Sequence, residues 1–522
     1  MLAAALLGTA MALPAEAHAQ QGERGSFLVM MGSDTFAVER YTRAPGTLEA
    51  ELSIRPAARV DWTARVAADG AFTRMDVRTW TSASGGAPPA QTAVLEVKGD
   101  SAVIVAEGGG QRREIRAAVS RGFVPFINPS VLLMEEALMR ARRSGAADSA
   151  TVPILPVGSP AQAMAKVRWI GADSAVFDLG GVEVRARVDA AGRMLGAVVP
   201  SQNLRFVRAG ELPRPAAFTT DYSAPADAPY TAEEARVVTP GGFMLAGTLT
   251  LPKSRQGRVP AVVTITGSGQ QDRDEALAGL TGYRPMRQVA DTLGRRGIAV
   301  LRLDDRGFGA SGGPVDSATT AHFADDIRAA VAWLRARPEI DPDRIALVGH
   351  SEGGIIAPLV ASTDPRLRAV VLVAGTSRDG RRILDYQLRQ AIEGDTSISP
   401  AKRDSVFAAG RAAREAAAPG MPWLRWFLEY DPLTTARKVR QPVLIVQGAT
   451  DRQVTADQAE ELAGAIRGAG NRDVTVRLFP DVNHLLLRDP SGAPSGYATL
   501  TDRRVLPEIL GTIADWLAVK LR

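Results

Sequence analysis

Cysteine is absent from this chain of 522 residues. That single absence excludes disulfide frameworks, thiolate-bound zinc, iron–sulfur clusters and cysteine nucleophiles together. It leaves the compartment open, because an exported protein can do without disulfides. Histidine is scarce. Only His18, His322, His350 and His484 occur, too scattered for a histidine-rich metal cluster, so no metal and no cofactor are expected. Charge of one sign is also scarce. The 62 basic and 57 acidic residues leave a net charge of +5 with no long Lys/Arg run, which argues against a nucleic-acid partner. Beyond the N-terminus nothing approaches the roughly 18 uninterrupted apolar residues of a spanning helix, so no integral membrane segment is expected. What remains is 45% apolar and 23% charged residues, the mix of a globular protein, in a length that suggests about two to four domains. Nothing in the composition speaks to oligomeric state.

Residues 1–19, MLAAALLGTAMALPAEAHA, are apolar and small and close on Ala17-His18-Ala19. This is the A-x-A form of a signal-peptidase site, so a signal peptide and a secreted or periplasmic mature chain are expected. Residues 20–209 alternate at period two in short runs such as Thr47–Ile54, Phe72–Thr81, Val182–Val188 and Met194–Val199, divided by turns such as Ala68-Asp69-Gly70 and Gly108-Gly109-Gly110. The pattern predicts a mostly antiparallel β domain with one wet face, interrupted by one helix over Val131–Arg143 behind Pro129-Ser130. No acid–base constellation stands out there. Residues 210–232, rich in Pro, Ala and Asp, read as a semi-stiff linker.

From about residue 233 the pattern changes. Continuous apolar runs (Ala261–Thr266, Ile298–Leu303, Arg344–Gly349, Ala369–Ala374, Pro442–Gln447, Val474–Phe479) alternate with amphipathic helical stretches. The fold class that follows is α/β, a mostly parallel sheet flanked by helices. The alternation stops between residues 378 and 440. That stretch is helix-forming and carries Trp423, Trp426, Phe427 and Tyr430, and it reads as an inserted cap over the C-terminal edge of the sheet. Of these, Trp423, Trp426 and Phe427 are candidates for a substrate-binding wall.

Gly349-His350-Ser351-Glu352-Gly353 joins a strand to a helix. A nucleophile on so sharp a turn needs small residues two before and two after it, and Gly349 and Gly353 supply them. Serine needs a base to take its proton. His484 stands in a loop just after strand 474–479. His350 adjoins the serine but points elsewhere from the turn, and His322 begins a helix. The carboxylate that orients the imidazole is expected in Asp451, on the loop after strand 442–447, with Asp481 as the fallback. The oxyanion donors are expected in the amides of Glu352 and of Ser268, with Gly269 the neighbouring alternative. Asp304-Asp305-Arg306 reads as a buried loop anchor rather than a second acid pair.

With these pieces in place, residues 233–522 resemble the α/β-hydrolase superfamily, and within it the bacterial esterase and serine-aminopeptidase-like branch that includes dienelactone-hydrolase relatives. The motifs are ThrGlySerGlyGlnGlnAspArgAspGlu (266–275), LeuAspAspArgGlyPheGlyAlaSerGlyGly (303–313), GlyHisSerGluGlyGly (349–354), GlyAlaThrAspArgGlnVal (448–454) and AspValAsnHis (481–484). The His-Gly common at the oxyanion turn is Thr266-Gly267 here, and the first 209 residues fall outside the resemblance. The resemblance implies a metal-free hydrolase of carboxylic esters acting on a small-molecule substrate through an acyl-enzyme. A peptidase of the same fold, with Glu352 or a cap acid as handle for a charged terminus, is the alternative. An acyl-thioester hydrolase and a binding protein with a vestigial hydrolase domain follow.

Overall fold

The computed structural model describes residues 22–522 except 32–33, 56–57, 81–88, 109–110, 203, 214–219, 255, 278–279 and 396–397. The signal-peptide segment, most of the Gly108–Gly110 turn and the middle of the linker lie outside the described residues.

The first fifteen strands, from Glu23–Met31 to Leu204–Ala209, form one sheet in which chain neighbours are sheet neighbours, except that Gln111–Ala118 and Val124–Phe126 stand at its two opposite edges. The first strand and the last pair antiparallel at its centre, Ser26 opposite Ala209. One pair departs from the expected antiparallel meander: Val124–Phe126 runs parallel to Ser149–Pro156. The reason is the helix Val131–Arg143 between them, which returns the chain in its original direction as a crossover does. That helix buries Val131, Leu132, Leu133, Met134, Leu138 and Ala141 in a single core with the strands. Ser130 caps its start, accepting from the Leu133 N–H. Buried Glu39, from strand Asp34–Ala44, also reaches this helix end and accepts from the amides of Val131 and Leu132 and from the Ser130 hydroxyl.

The second sheet has eight strands. Their order is Tyr230–Val238, Met244–Pro252, Ala299–Leu303, Val259–Ile265, Ile340–His350, Ala369–Val373, Val443–Gly448 and Val474–Phe479. The last six are mutually parallel, and the first two form an antiparallel hairpin at the edge. This hairpin is missing from the expected order, and Tyr230–Ala232, assigned to the linker, already belong to it. Its first strand alternates on a sheet edge, so it lacks the apolar run by which the inner strands show themselves. Elsewhere the linker is held down. Tyr222 hydrogen-bonds Asp272 at 3.1 Å and lies 4.2 Å from the Arg273 guanidinium, and Arg287 donates to the Ser223 carbonyl at 2.7 Å.

Val259–Ile265 lies between the strand that follows it in sequence and Ile340–His350. The strand order therefore reverses there, which opens a crevice beyond the C-terminal ends of those two strands. Thr266-Gly267-Ser268 leaves one of these ends and Ser351 the other. The segment 378–440 folds mainly into the helices Gly380–Gly394, Arg403–Ala417, Pro422–Glu429 and Pro432–Ala436. Among the described residues no helix is long and apolar enough to cross a membrane.

Candidate active site

Ser351 stands at φ 53°, a left-handed conformation that a non-glycine residue keeps only when its surroundings enforce it. Its own amide donates to the Val373 carbonyl at 2.9 Å. The flanking glycines are sterically required. A Cβ on Gly349 would sit 2.1 Å from the Gly353 carbonyl oxygen, and one on Gly353 would sit 2.5 Å from that of Ile265. The turn thus presses the nucleophile strand and its helix against each other and leaves the Ser351 hydroxyl at the crevice.

His484 Nε2 lies 3.1 Å from Ser351 Oγ, and His484 Nδ1 lies 2.8 Å from Asp451 Oδ2. Asp451 is buried, and four donors satisfy it. The amides of Gln453 and Val454 donate to Oδ1, while Gln447 Nε2 and the imidazole donate to Oδ2. Burial pushes its carboxyl upward, but the His484 charge and hydrogen bond with the two amides outweigh this and hold it below its ordinary value. Asp451 therefore stays ionised opposite the imidazole. The loop carrying His484 is fixed by Asn483, whose Oδ1 accepts from the amides of Leu485 and Leu487. Asp481, the fallback acid, is exposed. His322 caps a helix start through Thr319, and His18 lies outside the described residues.

A cavity of about 230 Å³ opens over Ser351 and His484. Ser268 and Glu352 line it, and Gly269 does not. The Gly267 amide is already spent on Glu275 Oε1 at 2.8 Å. Two of the three cap aromatics singled out reach the cavity, Trp423 and Phe427, stacked with ring centroids 5.1 Å apart. Trp426 does not. It stacks on Tyr430 instead, with ring centroids 4.2 Å apart. Trp423 Nε1 donates to Glu352 Oε1 at 2.9 Å, and Thr320 Oγ1 donates to the same oxygen at 2.6 Å. Burial raises the Glu352 carboxyl above its ordinary value, against the pull of those donors.

Several cavity residues carried no signal of their own in the sequence: Ile383, Leu384 and Gln387 from the first cap helix, and Gln271, Glu275 and Tyr283 near the oxyanion turn. Glu275 does close the motif 266–275. The 304–306 segment is the anchor expected of it. Arg273 clasps Asp304 at 2.8 Å, and Arg306 clasps Asp326 at 2.7 Å. Asp305 alone has no guanidinium and accepts from Thr266 Oγ1 and the Gln271 amide. Among the described residues no group of three or more His, Asp or Glu is placed to hold a metal ion.

Such a strand order, with a serine on a strained strand-to-helix turn facing a histidine and a buried aspartate, is the layout of the α/β-hydrolases. Residues 241–487 match the family model of the X-Pro dipeptidyl-peptidases (S15 family). Esterase EstD of Thermotoga maritima is 26% identical over 352 residues, covering 65% of this chain and 77% of its own. That share exceeds what residues 233–522 make up, so the likeness runs into the chain before them. Dipeptidyl aminopeptidase BIII of Pseudoxanthomonas mexicana is 30% identical over 254 residues, 46% of this chain but only 33% of that protein. The solved Pyrococcus furiosus esterase Pf2001 aligns at 17% identity over 57% of this chain and 96% of its own, with a TM-score of 0.39. The chain is a member of the α/β-hydrolase superfamily, and a serine hydrolase of that fold.

Proposed function

We propose that the protein hydrolyses carboxylic esters of small molecules through an acyl-enzyme on Ser351. The observation that carries this reading is the run of contacts from Ser351 Oγ to His484 to ionised Asp451 beneath a small cavity. His484 Nε2 takes the proton of the Ser351 hydroxyl as its oxygen attacks the carbonyl. Asp451 fixes the tautomer that leaves Nε2 free and stabilises the imidazolium. The amides of Ser268 and Glu352 receive the oxyanion. His484 then protonates the leaving alcohol, and a water activated by the same imidazole releases the acid. EstD, an esterase by name and covered over most of its length, supports this choice.

A peptidase is the second reading. It rests on the acidic lining of the cavity, Glu275 and Glu352, and on the likeness to the peptidases above. Purified protein assayed against p-nitrophenyl esters of rising chain length and against aminoacyl p-nitroanilides decides between them. Turnover of short esters with anilides untouched is the expected result, and preferential cleavage of the anilides would reverse the assignment. We also propose export, on the strength of residues 1–19. N-terminal sequencing of the mature protein should begin at Gln20, and an intact Met1 would refute it.

A further inference from the structure

The mechanism above leaves unused a buried pair of titratable groups that adjoins the nucleophile. His350, the residue before the nucleophile, is 5% exposed. Its Nδ1 lies 2.7 Å from Glu275 Oε1, and its Nε2 lies 2.9 Å from the backbone carbonyl oxygen of His484. Both partners are acceptors, so both ring nitrogens are called on to donate, and the pair holds one proton more than a neutral histidine carries. In keeping with this, burial lowers the basicity of His350, but the Glu275 charge and hydrogen bond and the His484 carbonyl outweigh it and leave the imidazole above its ordinary value.

Glu275 is 2% exposed and stands at φ 59°, a conformation costly for a residue with a Cβ. The same oxygen that faces His350 accepts the Gly267 amide at 2.8 Å. Gly267 precedes Ser268, and a Cβ there would lie 3.2 Å from both Ser351 Cβ and Glu275 Oε1, so the turn has no slack on that side. One carboxylate oxygen therefore ties the oxyanion turn directly, and the backbone of the base through one imidazole. The rings of His350 and His484 are 5.0 Å apart.

We propose that Glu275 and His350 are a positioning pair for this reaction, holding the Ser268 amide and the His484 imidazole in register about Ser351 while making and breaking no bond themselves. The proposal rests on the roles assigned above to Ser351, His484 and the Ser268 amide. It separates these two residues from ordinary core polar groups, because their contacts end on opposite sides of the reacting centre.

The test compares Glu275→Ala, His350→Ala, their double variant and Glu275→Gln on a short p-nitrophenyl ester. Each alanine variant should lower kcat by about ten- to a hundredfold with KM within about twofold, the cost of a small misplacement of reacting groups. The double variant should be no slower than the slower single one, since the two act as one unit. Glu275→Gln should recover part of the loss, because it keeps an oxygen that accepts the Gly267 amide but loses the charge that holds the second imidazole proton. Losses that multiply in the double variant, or a loss in KM rather than kcat, would overturn the pair. Should Glu275→Ala fail to fold, His350→Ala carries the same expectation for kcat, and wild-type kcat in it would refute the proposal. A fluorophosphonate probe keeps the two readings apart. Failure to label wild-type Ser351 overturns the nucleophile and the pair together, whereas labelling with unaltered kcat in the variants overturns the pair alone.

Discussion

At the scale of single residues the site depends on contacts that tolerate little substitution. Ser351→Ala should lower ester hydrolysis by at least about a thousandfold, leaving what the oxyanion donors and binding alone supply. Retention of more than a few per cent of the activity in pure protein would place the nucleophile elsewhere. Asp451→Asn should cost on the order of a thousandfold as well, because an amide that donates toward His484 Nδ1 favours the wrong tautomer. Here the sequence was highly legible. Gly349 and Gly353 announce a turn that admits nothing larger, and each partner follows its strand directly. Glu275 and His350 were not legible as a pair, since the contact joins residues 75 positions apart and needs a left-handed glutamate that no local pattern signals. Chelation belongs to this scale too. With no cysteine and four scattered histidines, activity should survive EDTA, and loss reversed by zinc or manganese would point to a site these residues do not explain.

At the scale of elements, sequence reading succeeded where a segment is buried in one way along its whole length. The strand Ala369–Val373, buried throughout, ends within one residue of its expected bound at Ala374, and the helix Val131–Arg143 falls on its expected bounds because apolar periodicity and a serine cap mark it. In the hairpin Tyr230–Pro252 the first strand was missed because it alternates on the sheet edge beside a Pro-rich stretch, and the second, Met244–Pro252, because Gly247, Thr248 and Thr250 break the apolar run that marks the other buried strands. The cap was legible as an insertion, but which of its aromatics turn inward was not, because that depends on how its helices pack on one another. Trp423 and Trp426 are therefore expected to separate. Trp423→Ala removes a cavity wall and the indole donor to Glu352, so it should change the ranking of acyl chain lengths while a small phosphonate still labels Ser351. Trp426→Ala removes only packing against Tyr430, so it should lower the melting temperature and leave that ranking alone. A chain-length profile altered by Trp426→Ala and untouched by Trp423→Ala would reverse the assignment of the wall.

At the scale of the whole molecule, two hydrophobic systems share no residue. One core takes its members from Phe27 to Phe206, and the two clusters flanking the second sheet begin only at Ala235. Cooperative units follow contiguous cores. Calorimetry should therefore show two transitions, with phosphonate labelling of Ser351 lost in one of them. Glu39 identifies the other. Its carboxyl is buried, and although two helix amides and the Ser130 hydroxyl draw it down, burial pushes it up to about 7 from an ordinary value of 4.5. The folded β domain thus holds this proton more tightly than the unfolded chain does. Its contribution is complete below about pH 4.5 and is lost as pH rises through about 7, by up to roughly 3 kcal/mol. Glu39→Gln stays neutral, accepts the helix amides through its oxygen and donates to Ser130 through its nitrogen. It should flatten the fall in the β-domain transition between pH 5 and pH 8, a fall of several degrees in the wild type for a domain of this size. It should leave the transition that abolishes labelling in place. A variant whose β-domain transition still falls as steeply as the wild type over that range would remove Glu39 as the source. Equal movement of both transitions would show that the two cores unfold as one.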